Sequence, residues 1–170
     1  VDQLTAEFKS GGAFGFRDGI RFHAGTGAGD VLNLVGSTNE SFNYRPAATA
    51  NGETMLVDAS GEIRMTGVES IAVIDLARLT VTTQNSQDLL TVAAVSGIGG
   101  TAATGVSGTS GGVAIVPLSW IYVPAVLIDT GRRDLIGPPA NDTVTVNAGA
   151  LQANGLRDLE FSLGRGAVHQ

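Results

Sequence analysis

Three aspartates open three near-copies of one short segment: Asp30-Val31-Leu32-Asn33-Leu34, Asp88-Leu89-Leu90-Thr91-Val92 and Asp142-Thr143-Val144-Thr145-Val146. Carboxylates at equivalent places invite hard-cation chemistry, because calcium collects carboxylate and carbonyl oxygens from several points of a chain. Gly25-Thr26-Gly27-Ala28-Gly29-Asp30 approximates the Gly-Gly-x-Gly-x-Asp turn of tandem calcium repeats, whereas the approaches to Asp88 and Asp142 lack those glycines. Calcium held by Asp30, Asp88 and Asp142 therefore requires the three to stack closely. The plainer role, and the favoured one, is for each carboxylate to accept backbone N–H groups at a corner that opens a strand. The expectation is no resident cofactor, with calcium as the one candidate ion.

Other chemistry is thin. There are two histidines, His23 in a strand-like segment and His169 near the end. Gly108-Thr109-Ser110-Gly111-Gly112 has the letters of a nucleophile elbow, but it leads into a β-prone run where an elbow would lead into a helix. With no cysteine and no close histidine pair, zinc lacks ligands. Asp129, Arg132, Arg133, Asp134 and Asp142 gather charge near one long corner, as polysaccharide-degrading β-helix enzymes do on an exposed face; a solvated, charge-balanced loop is the preferred reading. Trp120 and Tyr122 stand two apart, so on a strand they share a face and offer one small aromatic platform for a sugar, or cover for an interface.

These residues need elements to position them, and the composition points to strands. Charged residues are 15% of the chain against roughly 25% in an average domain, and 24 glycines with many Thr, Ser and Asn fill the difference. The net charge of −6, with only Arg132-Arg133 as a basic pair, argues against nucleic acid. No run approaches the roughly 20 apolar residues of a spanning helix, so no membrane insertion is expected. The absence of cysteine excludes disulfide staples. The chain begins at Val1 with no leader pattern, which fits either a processed chain or an excised piece of a longer one.

A second element precedes each Asp-led segment: Ile20 to Gly25, Leu79 to Thr82 and Leu127 to Gly131, with a fourth copy at Leu159 to Gly164 that has no Asp-led successor. Most copies carry apolar residues two apart, the period of a half-buried strand. Between these modules, Phe42 to Tyr44, Thr54 to Val57, Glu62 to Met65 and Val68 to Val73 also read as strands, divided by Pro46, Asn51-Gly52, Ser60-Gly61 and Gly67. The run from Gly97 to Gly112, almost wholly Gly, Ser, Thr and Ala, is expected to form narrow turns. Residues 1–15 lie outside the repeat as an N-terminal extension or cap. That segment could form a short helix, a strand extending the sheet, or a strand donated to a neighbouring subunit.

Recurrence at 58 and then 54 residues predicts stacked β-structure. The fold expected for residues 16–170 is a single all-β domain, a parallel β-helix or β-solenoid with irregular rungs; a β-sandwich is the alternative.

The motifs Gly25 to Ser37, Thr66 to Val73, Ser107 to Val113 and Asn141 to Val146 resemble repeats in very large secreted surface proteins of planctomycetes and other environmental bacteria, which look like relatives of calcium-binding RTX repeats. The resemblance implies an extracellular or cell-surface location and a structural or adhesive, non-catalytic role. Expected partners are copies of the chain itself or flanking repeats, assembled head to tail. The alternatives are a calcium-assisted module for surface glycans and, behind it, a β-helix enzyme.

Overall fold

Alternating apolar residues, β-branched side chains and glycine-rich corners give a chain of strands. The computed structural model describes residues 1–8, 19–58, 61–132, 141–147, 149, 155–163 and 168–169. Its regular elements are sixteen strands and one 3-10 turn, Ile98–Gly100. In chain order the strands are β1 (Gln3–Glu7), β2 (Ile20–His23), β3 (Val31–Val35), β4 (Ser41–Arg45), β5 (Thr54–Val57), β6 (Glu62–Thr66), β7 (Ser70–Ile74), β8 (Arg78–Thr82), β9 (Asp88–Ser96), β10 (Ala102–Ser110), β11 (Val113–Ala114), β12 (Leu118–Ile121), β13 (Ala125–Asp129), β14 (Thr143–Val146), β15 (Asp158–Ser162) and β16 (Val168–His169).

The fold is all-β, in two sheets. The first runs β1-β3-β7-β12-β10-β9-β14-β16, with β11 beside β10; the second runs β15-β13-β8-β4-β5-β6-β2. Each contains one antiparallel meander, β9-β10-β12 in the first and β4-β5-β6 in the second. Short β11 pairs antiparallel with β10, and all other neighbours pair in parallel. Apart from β5 and β10, every strand of a sheet therefore points the same way. Parallel neighbours need a crossover between them, and here the crossovers pass through the opposite sheet: β7, β8 and β9 follow one another in the chain but alternate between sheets.

Parallel in-register stacking lines up like with like. Phe42, Leu79, Val126 and Leu159 form one row across the second sheet, and Tyr44, Val81, Ile128 and Phe161 form the next. In the first sheet Leu32, Ile71, Leu118, Val106 and Val92 stand in line. These rows are buried except at the outermost strand, where Leu159 and Phe161 remain half-exposed. Removing such rows from water is the main force holding the sheets face to face. Tyr44 can join them because its hydroxyl donates to the Val116 carbonyl at 2.5 Å; burial pushes its phenol pKa well above the ordinary value.

One sequence expectation is corrected here. Gly97 to Gly112 does not form narrow turns. Most of it is β10, paired with β9 over nine residues, because side chains this small let backbones pass closely. At Gly108, φ is 138° and a Cβ would lie 2.0 Å from the Leu89 carbonyl oxygen. Of the forms open to the N-terminal segment, Gln3–Glu7 takes the strand that extends the sheet, paired with β3 of its own chain. The fourth module, which has no Asp-led segment after it, is followed by the short strand β16, in register beside β14 with Val168 opposite Thr143.

Candidate functional site

The Asp-led corners depend on backbone geometry. Asp30 follows Gly29 at φ +87°, and Asp88 follows Gln87 at φ +65°. The second corner thus keeps a left-handed turn after losing the glycine that makes it easy. Asp30, Asp88 and Asp142 are all buried. A buried carboxylate needs hydrogen-bond donors, and here the backbone of the neighbouring strand supplies them.

Asp2 N–H donates to Asp30 Oδ1 at 2.5 Å, Asp30 N–H to Glu69 Oε2 at 2.5 Å, and Asp88 N–H to Asp142 Oδ1 at 2.9 Å. Asp2, Asp30, Glu69, Asp88 and Asp142 occupy the start of β9 or the position just ahead of β1, β3, β7 and β14. In each case the donor is on the strand nearer β1 and the acceptor on the strand nearer β16. The result is a ladder of carboxylates with one polarity, reinforced at Asp88 by the Thr83 hydroxyl at 2.7 Å.

The structure brings Asp88 and Asp142 together on adjacent strands but leaves Asp30 elsewhere. Between β3 and β9 stand β7, β12 and β10, a separation of about 19 Å at the usual strand spacing. The three aspartates therefore do not converge on one ion, because the β9-β10-β12 meander intervenes. Among the described residues no group of three or more His, Asp or Glu side chains is placed to hold a metal. Glu69 and Asp2 were not recognised as members of this set, although each is an acid just ahead of a β-prone run, which is the signal that would have found them.

The aromatic platform is also corrected. Trp120 points into the core at 1% exposure, in line with Val73. Tyr122 lies beyond the end of β12 at φ +56° and is 49% exposed. Strand alternation fails there because β12 stops at Ile121, so the two rings do not share a face. His23 is exposed on β2, with Nδ1 2.8 Å from Thr66 Oγ1 on the adjacent strand. Ser110 is in the other sheet, buried, its hydroxyl accepting the Asn85 N–H at 3.2 Å. The two cannot work as a nucleophile and base. Arg133 and Asp134 lie outside the described residues; Asp129 ends β13.

Two surface features remain. The outer face of the first sheet carries a groove of about 550 Å³, with Asn33, Ala72, Ser119, Gly105 and Ala93 in register across it and Ser96, Gly97 and Gly99 at one side. Its lining has amides and hydroxyls but no charged side chain. The other feature is the sheet ends. Among the described strands, β1 and β2 are open edges at one end and β15 and β16 at the other. On β2, Ile20 and Phe22 are half-buried while Arg21 and His23 are exposed; on β15, Leu159 and Phe161 are half-buried while Asp158, Glu160 and Ser162 are exposed. Among the described residues no helix is long and apolar enough to cross a membrane. Comparison with protein-family models, with curated proteins and with solved structures gives no match.

Proposed function

We propose that this chain is a non-catalytic structural subunit of an extracellular or cell-surface assembly, an irregular β-solenoid that stacks on copies of itself or on flanking repeats. One observation carries the reading. Among the described strands both sheets finish, at both ends, in open strands of the same direction, and on β2 and β15 the inward residues are only half-buried. Open edges of this kind template further strands unless they are blocked, and no proline stands in any of the four. Adding strands to opposite edges is a heterologous contact, which builds a filament wherever its rotation does not close into a ring. The resemblance to bacterial surface repeats supports the location. A dilution series followed by light scattering and negative-stain electron microscopy tests the proposal. Filaments that lengthen with concentration support it, and a strictly monomeric chain at all concentrations refutes it.

The uncharged groove favours a second reading, a module that binds a neutral surface glycan, with or without calcium. Hydroxyl and amide side chains on an apolar floor suit sugar recognition, although no aromatic ring is among the lining residues. Titration with neutral and acidic oligosaccharides tests it: binding of a neutral one, lost in Ser119→Trp, supports the module, and no heat with any sugar removes it.

A further inference from the structure

The two edges of the second sheet match each other residue by residue. The inner rows of that sheet run out at Leu159 and Phe161 on β15, and at Ile20 and Phe22 on β2, which continue Ile63 and Met65 of β6. Side chains alternate on a strand, so a slip of one residue would turn every apolar side chain outward. Permitted parallel registers therefore differ by two residues. Only one of them sets both apolar pairs side by side, Ile20 with Leu159 and Phe22 with Phe161. That same register places exposed Arg21 opposite exposed Glu160. A slip of two in one direction would pair Arg21 with Asp158 but leave Phe161 beyond the end of β2; in the other it would face Arg21 with Ser162.

We propose that a second copy of this chain seats its β15 alongside β2 in this register, with Arg21 paired to Glu160, while the Asp2 carboxylate receives the backbone N–H that opens the strand added beside β1. The inference rests on the self-assembly reading and names its interface. The second half follows from the ladder. Glu69 accepts from the residue ahead of β3, and Asp30 from the residue ahead of β1. Asp2 stands next in line at the open edge, and no hydrogen bond to its side chain is present among the described residues. A growing sheet continues the ladder with its polarity unchanged. Among the described residues of one copy Arg21 reaches Glu53 at 3.8 Å and Glu160 reaches Arg78 at 3.2 Å, both pairs at the surface, so both side chains remain available to a neighbour.

Because the chain has no cysteine, a disulfide can report the register. Directly opposed residues on neighbouring strands have Cβ atoms about 4.5–5.5 Å apart, near disulfide reach. Arg21→Cys mixed with Glu160→Cys is expected to give covalent dimers on mild oxidation, and Glu160→Cys mixed with His23→Cys is not. Arg21→Glu should raise the concentration needed for assembly by roughly fivefold, and Arg21→Glu with Glu160→Arg should restore it. Asp2→Ala should slow assembly while Asp2→Asn, which keeps an acceptor, should not. Wild-type filaments without the disulfide and without rescue by the double reversal overturn this interface but leave self-assembly standing. A wild-type chain that never associates overturns both.

Discussion

Asp142→Ala is the sharpest test of the carboxylate ladder. Asp142 is fully buried and its Oδ1 accepts the Asp88 N–H at 2.9 Å. Removing the carboxylate leaves that N–H without its acceptor in a dry corner. An orphaned buried donor costs about 1–3 kcal/mol. For a chain of this size, about 2 kcal/mol corresponds to a fall in Tm of about 4–8 °C. Asp142→Asn keeps an oxygen at the same place. It also removes a charge whose second oxygen, Oδ2, has no hydrogen-bond partner, so the lost charge-assisted bond and the avoided charge burial offset one another. The Asn variant is expected within about 1 kcal/mol of wild type. Urea unfolding followed by far-UV circular dichroism measures both, with the slope unchanged and the midpoint shifted. An Ala variant as stable as wild type, or an Asn variant as damaged as the Ala variant, would refute the acceptor role.

Tyr44→Phe removes the hydroxyl bonded to Val116 and should cost about 1 kcal/mol. The folded phenol has a raised pKa, so Tyr44 contributes stability that is present below its unfolded pKa of about 10 and lost as pH rises above it; alkaline titration of the melting temperature should be flatter in the Phe variant. Gln87→Gly relieves a left-handed non-glycine residue and should raise stability by about 0.5–1 kcal/mol in the same urea assay. Gly108→Ala places a Cβ 2.0 Å from the Leu89 oxygen and should lower the urea midpoint sharply, by more than the roughly 0.5 kcal/mol spread of a surface change. Millimolar calcium should leave the melting temperature unmoved, because Asp30 is far from Asp88 and Asp142; a rise that saturates with ion concentration would contradict that geometry.

Strands and their order were legible in the sequence because they rest on local properties. Period-two burial in Phe42 and Tyr44, or in Ile63 and Met65, comes from alternation along one strand, and it is written in consecutive residues. The recurrence of Asp88 and Asp142 has a counterpart in the structure, where their similar segments stack in register on adjacent strands. The same recurrence misplaced Asp30. Nothing local to Gly97–Gly112 shows that so small a set of side chains can form a nine-residue strand; β10 exists because β9 and β12 flank it and take its hydrogen bonds. Trp120 and Tyr122 look equivalent on paper, and only the end of β12 turns one inward and the other outward.

By itself the sequence determined an all-β chain, its acidic corners and the repeating strand pairs, because those follow from propensity, alternation and turn chemistry within short windows. Tertiary structure alone decided which carboxylates meet, which way the ladder points, and which four strands are left as edges. Those outcomes depend on pairings between residues 25 to 54 positions apart, and backbone hydrogen bonds between strands carry no side-chain signature from which such pairings can be read.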